Sequence, residues 1–302
     1  MDQINSLDHF NTNPVMGKKQ EELAFMKKRI EASLNNNEVQ QKVRTDFVYT
    51  FVQLGLGIVQ ANSLTEKVFQ KLKGSQNLDV IEQGLFQDFK NEKMVSNGKE
   101  VSIIELLNQK LKDRAETIFN QIAPYLKDIK GKTIDFGAGD GQVTQYLHDR
   151  LGLDIEGYDI SSYQASCVVV PIHKFDGAHI NVGDKHYTTA IMTNVAHHEK
   201  DNQKIIDELT RTVSTRLVIV ETVPIGNTAE EIELDKERTF MNDYLYNRLF
   251  HNADIPVPGT YETSEGWIKR FEEKGWKIQH SENFGFDQSI IRDAHQLLVF
   301  ER

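Results

Sequence analysis

A chain of 302 residues is long enough for one large domain or two smaller ones with a real core. Its composition, 39% hydrophobic and 26% charged, is that of an ordinary globular protein. A formal charge of −10 argues against a nucleic-acid groove, because phosphate is bound largely through Lys and Arg, so no nucleic-acid partner is expected. The basic residues Lys18, Lys19, Lys27, Lys28 and Arg29 read as a solvated helix face. The single cysteine, Cys167, excludes an internal disulfide and fits a reducing compartment; followed by Val168, Val169 and Val170, it reads as a core residue. The N-terminus has no apolar signal-peptide run, and the most apolar early stretch, residues 47–59, is too short and polar to span a bilayer. A cytoplasmic protein without a membrane partner is expected.

Residues 1–20 carry Asn, Asp, Pro and Gly without period and read as a frayed or docking arm. Residues 21–32 have a helical pattern, broken by Asn35-Asn36-Asn37. A second helix is predicted to about Val59, with Val43, Phe47, Phe51 and Leu54 at three- and four-residue steps. Ser63 is placed to cap a third helix through Leu72, closed by Gly74. Then come helical text over 78–89, a polar loop around Ser96-Asn97-Gly98, and a helix from Ser102 to about Tyr125. Residues 1–105 are therefore expected to form an all-helical lid or cap domain.

Beyond it the texture changes. Strand-like runs at 133–136, 155–159, 168–172, 189–195, 217–222, 276–281 and 295–300 alternate with helical text, notably at 202–213 and 264–274. Such alternation predicts an α/β domain over 106–302: a doubly wound, mostly parallel seven-stranded sheet, with an insertion at about 224–262. The last two runs are joined by about a dozen residues without a helix, so the final strand is expected to be antiparallel.

The chemistry starts at Thr133-Ile134-Asp135-Phe136-Gly137-Ala138-Gly139-Asp140-Gly141, an apolar strand entering a glycine-rich turn before a helix. Glycines at 137, 139 and 141 let the backbone approach a ligand, and the helix that follows offers free N–H groups. About twenty residues on, a second strand ends in the acid Asp159. A dinucleotide fold wants a small residue three positions after Gly139, where Gln142 stands; this lowers the nicotinamide-dependent oxidoreductase reading.

Residues 135–141 resemble the first motif of the class I S-adenosylmethionine (SAM)-dependent methyltransferases, and Gly157-Tyr158-Asp159 their second. The resemblance implies a Rossmann-like methyltransferase fold. It also implies that Asp135, Gly137, Ala138 and Gly139 face the methionine part of SAM, and that Asp159, followed by Ile160, takes the ribose hydroxyls. A carboxylate is a natural acceptor for two vicinal hydroxyls. Phe175-Asp176-Gly177 falls where the family sets an acid against the adenine amino group, although Ala178-His179-Ile180 departs from its usual Leu-Pro-Phe. The stretch Thr193-Asn194-Val195-Ala196-His197-His198 resembles the close of the fourth strand in many small-molecule methyltransferases and adds Asn194 to the cofactor residues. Residues 240–248 and 256–261, before Trp267, resemble a substrate-side segment in the small-molecule and polyketide-type branch. The resemblance covers roughly 110–302.

His197 and His198 close a strand whose end opens onto the ligand crevice. Three roles stay open for them: a general base for an attacking hydroxyl, amine or acidified carbon, a pocket-shaping structural residue, or a metal ligand. The catalytic candidates are His198, His197 and Tyr246, with His198 nearer the substrate, and the substrate-side candidates are Asn242, Asp243, Asn247 and Tyr261. No metal is assigned. Some polyketide-type enzymes of this branch use one divalent metal to acidify an acyl thioester, and here His198 with Asp243, Asn242, Glu221 or Gln288 would supply the ligands. The acidic run 230–237 reads as a solvated face, and His173, His179 and His186 as surface residues. The expected activity is SAM-dependent methylation of a small molecule or a carrier-bound acyl group. The alternatives are metal-assisted C-methylation on the same fold and a non-catalytic SAM-binding or protein-interaction module.

Overall fold

The computed structural model describes residues 16–96, 99–161, 164–251 and 255–302. The expected N-terminal arm lies largely outside them. The chain opens with four helices, α1 (Met16–Asn35), α2 (Asn37–Gln53), α3 (Ile58–Leu72) and α4 (Leu78–Asn91). Asn36 separates the first two by capping: its side chain accepts from the amides of Glu38 and Val39. The second helix stops at Gln53, short of the expected Val59, because Gly55 turns the chain at φ +105°. Ser63 accordingly lies inside α3, not at its cap.

The expectation of an all-helical first region needs correction. An antiparallel hairpin, β1 (Lys93–Ser96) and β2 (Lys99–Ser102), pairs Ser96 with Lys99 and Lys93 with Ser102. The signal was Asn97-Gly98, a dipeptide that favours tight hairpins, flanked by short runs with Met94 and Val101; Asn97 and Gly98 themselves lie outside the described residues. Next comes α5 (Ile103–Ile122), started by a capping box in which Ser102 and Glu105 bond each other's backbone amides.

The second region is built from β3 (Thr133–Phe136), α6 (Gln142–Leu151), β4 (Ile155–Asp159), β5 (Ile172–Lys174), β6 (Tyr187–Thr193), α7 (Asn202–Thr212) and β7 (Val213–Val223). Then follow α8 (Ala229–Tyr244), continued as a π-turn over Leu245–Phe250, α9 (Ser264–Glu272), β8 (Lys277–Gly285) and β9 (Ala294–Glu301). The seven strands run in the order β5-β4-β3-β6-β7-β9-β8. The five neighbours from β5 to β7 pair in parallel, and β9 is antiparallel to both β7 and β8, as the short final connection required. The third strand of this sheet begins at Ile172 instead of 168. The backbone amides of Val169 and Val170 are taken by the Gln145 side chain, not by a ladder. Val169 is 80% exposed and Cys167 is exposed, so the cysteine is not a core residue.

Apolar side chains fill both faces of the sheet, Leu209, Trp267 and Phe271 on one and Ile118, Leu147 and Val299 on the other. A third core joins α1–α4 to the insertion through Phe47, Phe51, Phe89, Phe240, Tyr244, Leu249 and Phe250. Helix α5 belongs to two of these cores: Ile103 and Leu107 lie in the helical one, Ile118 and Ile122 on the sheet, so the boundary expected at 105/106 falls within one continuous helix. Buried charges tie the same parts together. Arg238 of α8 pairs with Asp235 and with Asp46 of α2, and Arg248 pairs with Glu82 of α4. The run 230–237 is therefore not simply solvated: Asp235 is buried and Glu237 binds Arg29, which in turn is no solvated residue. Among the described residues no helix is long and apolar enough to cross a membrane.

Candidate active site

The glycine turn leaves β3 between two neighbours and is shaped by both. The amides of Gly137 and Ala138 donate to the Tyr158 carbonyl at 2.8 and 3.0 Å, and the Gly139 amide donates to Asp159 Oδ2 at 2.8 Å. The other carboxylate oxygen of Asp159 accepts from the Ser161 amide and hydroxyl, each at 2.8 Å. At Gly137 the backbone sits at φ +78°, and a Cβ would lie 2.3 Å from Val195 Cγ2, so the turn packs directly on the segment that carries the histidines. Gly139, at φ +56°, has no described residue within 4 Å of such a Cβ.

Polar atoms at this edge lack partners among the described residues. Asp135 is buried; one oxygen accepts from Thr144 Oγ1 at 2.6 Å and the other, Oδ1, has no partner. Burial pushes its carboxyl up to about 6, opposed by the Thr144 hydrogen bond and reinforced by Asp159. Asn194, in the left-handed region at φ 56°, carries a buried Nδ2 without a partner. An open glycine, an unpaired acceptor and an unpaired donor suit a ligand carrying both hydroxyl and ammonium groups, as SAM does. Asp176 lies at the exposed rim, where the amides of Ala178 and His179 donate to it and hold its carboxyl below the usual range. Gly177 and the half-exposed Ile160 meet beside it.

The histidines sit on a short 3-10 turn, Ala196–His198, just past β6. Glu221 of β7 organises that turn. Its Oε1 accepts from the amides of Val195 and Ala196 at 2.8 and 2.7 Å, and its Oε2 lies 2.7 Å from His197 Nδ1. Both groups are buried. Burial alone would lower the His197 pKa, but the Glu221 charge and hydrogen bond, with Asp243 and Asp293 behind them, raise it. Burial likewise opposes ionisation of Glu221, and His197 together with the two amides still holds its carboxyl below the usual range. Both shifts favour the ion-paired form of His197 and Glu221.

His198 is the opposite case. Burial and the neighbouring His197, whose ring centroid is 4.2 Å away, lower its pKa. Its Nδ1 lies 2.9 Å from the Pro256 carbonyl, which only accepts, so Nδ1 carries the proton. In the neutral ring Nε2 then holds the lone pair, and the side chain remains 20% exposed. Asp243 closes the group. Its Oδ2 accepts from Tyr261 Oη at 2.9 Å and lies 3.9 Å from His197 Nε2 and 4.0 Å from His198 Nδ1. Asn247 Nδ2 donates to Oδ1 at 2.6 Å, and the Tyr261 ring stacks on His197 at 5.4 Å.

The structure thus brings His197, His198, Asp243, Asn247 and Tyr261 together. Two other candidates are elsewhere. Asn242 is buried and its amide donates to Asp46 and Asp293. Tyr246 lies beside Arg114 and His251 and borders a cavity of only about 10 Å³. Metal-ligating atoms of His197, His198 and Asp243 lie within 4.8 Å of one another. Of the partners expected for His198 in such a set, only Asp243 joins: Glu221 is held by His197, Gln288 accepts from Arg114, and His197 takes their place. A cavity of about 340 Å³ is lined by Lys132, Thr133, Asp154 and Glu156 at the starts of β3 and β4, away from the strand ends where open α/β sheets bind ligands. Sequence reasoning missed the hub role of Glu221 and the Pro256 carbonyl. The first could have been suspected from an acid in the fifth strand beside the His pair; the second has no sequence signal.

A sequence model described as a methyltransferase domain matches residues 107–281, from α5 into β8. The chain belongs to the methyltransferase-domain family. With its strand order and glycine turn it is a class I SAM-dependent methyltransferase. Among solved structures this methyltransferase is similar to the [4+2]-cyclase SpnF, with a TM-score of 0.47 and 12% identity over 61% of this chain and 79% of that one. It is also similar to a SAM-dependent methyltransferase from Mesorhizobium loti (TM-score 0.46, 13% identity, 62% of this chain and 98% of that one). A third is a putative sarcosine dimethylglycine methyltransferase from Galdieria sulphuraria (TM-score 0.46, 10% identity, 73% and 97%). No curated protein matches the methyltransferase.

Proposed function

We propose that this methyltransferase methylates a small molecule or a carrier-bound acyl group, with His198 as the general base. The observation that carries the reading is the geometry of His198: proton on Nδ1 toward Pro256, pKa lowered, ring partly exposed beside a His197 that is locked by Glu221. Asp135, Gly137, Ala138, Gly139, Asp159, Asp176 and Asn194 are the residues proposed to hold SAM. When bound, SAM supplies an electrophilic methyl group on a sulfonium. His198 Nε2 takes the proton of the acceptor's hydroxyl, amine or acidified carbon, while Asp243, Asn247 and Tyr261 form the polar wall that orients the acceptor. The His197–Glu221 pair fixes the turn, and burial together with the neighbouring His197 lowers the His198 pKa, keeping that ring a base.

The test is a panel of hydroxyl, amine and acyl-thioester acceptors, with S-adenosylhomocysteine formation as readout and SAM binding followed by calorimetry. The reading expects turnover with at least one acceptor class, and loss of turnover with retained SAM binding in His198→Ala. Full activity in that variant would overturn it. Metal-assisted C-methylation is the second reading, favoured by the convergence of His197, His198 and Asp243. A cation there would take His197 through Nε2, with Nδ1 kept on Glu221. Protein purified with divalent metals present and found metal-free by elemental analysis would exclude it.

A further inference from the structure

The loop 255–261 is tied along nearly its whole length, and its ties lead in two directions. Inward, the Pro256 carbonyl accepts from His198 Nδ1. Thr260 bonds the His197 carbonyl through its amide (3.4 Å) and hydroxyl (3.0 Å), and the Glu199 carbonyl through its hydroxyl (2.7 Å). Tyr261 Oη donates to Asp243. Outward, the carbonyls of Pro258 and Gly259 accept from one guanidinium nitrogen of Arg29, at 2.6 and 3.3 Å. Arg29 belongs to α1, more than 220 residues away in sequence.

Arg29 is itself held on three sides. Its Nε and Nη2 donate to Glu237 Oε1 at 3.2 and 2.9 Å, its plane lies 4.3 Å over the Phe240 ring, and Ser33 Oγ braces Glu237 from the next turn of α1 at 2.9 Å. A planar fork with separate donors can grip a carboxylate and two carbonyls at once; an ammonium cannot reproduce that geometry. The loop is shaped to receive it. Gly259 sits at φ +67°, and a Cβ there would fall 2.2 Å from Arg29 Nη1. The close approach therefore requires glycine on one side and arginine on the other.

We infer that Arg29 is a positioning residue for methyl transfer: from the N-terminal helical cap it fixes the 256–260 loop, and through the Pro256 carbonyl it sets which nitrogen of His198 carries the proton. Without that carbonyl, a neutral imidazole is free to place its proton on Nε2, which removes the lone pair from the nitrogen assigned as base. The cap thus acts on the chemistry without touching the acceptor. This inference rests on the reading of His198 as base, but its central claim concerns the ring's tautomer and can be measured independently of activity.

The test uses the full chain with Arg29→Lys and Gly259→Ala, which break the same contact from opposite sides, and Arg44→Ala as a control that removes a different cap ion pair, the one to Glu66. Nitrogen-15 NMR of histidine-labelled protein reports the His198 tautomer. Nδ1–H is expected in the parent and in Arg44→Ala, and a substantial Nε2–H fraction in both loop variants. In those two, kcat should fall about tenfold or more, with SAM affinity within about twofold of the parent. An unchanged tautomer in folded Arg29→Lys and Gly259→Ala would overturn the inference, whatever happens to kcat. A shifted tautomer with unchanged kcat would leave the coupling standing and count against His198 as base. Should Gly259→Ala fail to fold, Arg29→Lys alone decides.

Discussion

The glycine turn and the histidine cluster lie at the same edge of one sheet, yet they are assembled in opposite ways. The turn is local: β3, the loop and the end of β4 span residues 133–159, and its bonds run from Gly137, Ala138 and Gly139 to Tyr158 and Asp159. The cluster is dispersed: His197 and His198, Glu221, Asp243, Pro256 and Tyr261 come from separate segments, and the loop that orients His198 is gripped from α1. A local site depends chiefly on its own strand pair, here with Val195 packed against Gly137. A dispersed one depends on the whole molecule, including parts that never meet the reactants.

Variants can break or sharpen that contrast. The largest effect is expected at the dispersed site. His198→Ala should lower kcat by about 10²–10⁴-fold, the usual contribution of a general base, with the SAM dissociation constant unchanged. Single-turnover kinetics beside calorimetry will check this, and a parallel loss of SAM affinity would show that the two sites are not separable. Asp159→Ala is the mirror experiment. Removing a charged acceptor of two hydroxyl hydrogen bonds should cost about 3 kcal/mol, a hundredfold or more in SAM affinity, while turnover at saturating SAM holds within a few-fold.

Asp135→Asn tests the turn without ligand. The Asp135 carboxyl is raised to about 6 in the folded protein, so the folded state binds the proton more tightly than the unfolded chain does. Its contribution therefore falls as pH rises through about 4 to 6, reaching on the order of 3 kcal/mol of destabilisation above that range. Denaturant melts at pH 7.5 should show the SAM-free variant gaining a fraction of that amount, and melts at pH 4 should show the gap closing. A gap that widens at low pH would mean Asp135 is ionised at no cost. The smallest effect is a matter of position on an axis. Because His198 is lowered from its ordinary 6.5, the acid limb of kcat/KM should lie below pH 6.5. A limb above pH 7 would point to His197, whose pKa is raised.

The same contrast explains what could be read from residue order. Strands β3 and β4, the turn and the antiparallel last strand follow from spacing over short distances, and their limits agree with the structure to within a residue or two. The strand expected at 168–172 moved because Gln145, on a helix, bonds the backbone of that segment, a competition invisible in the apolar run itself. The hairpin at 93–102 went unread because four-residue strands carry little periodicity. At the site, amide and aromatic residues on one helix looked alike. Packing separated them: Asn247 turns to Asp243, whereas Asn242 serves the buried charges of Asp46 and Asp293. Burial pushes Asp293 up to about 7, which marks how tightly that neighbourhood is closed.

Helix α5 carries a consequence for how the protein can be divided. Its capping box, Ser102 with Glu105, lies among residues that serve the helical core, and its later turns lie on the sheet. Cutting at residue 106 removes the cap of that helix, Phe51 and Phe89 from Phe250, Glu82 from Tyr244, and Arg29 from Phe240. The sheet half is therefore expected not to fold as an autonomous unit. Both halves should melt in a single transition, and evolution or an engineer can exchange the cap only together with the insertion it encloses.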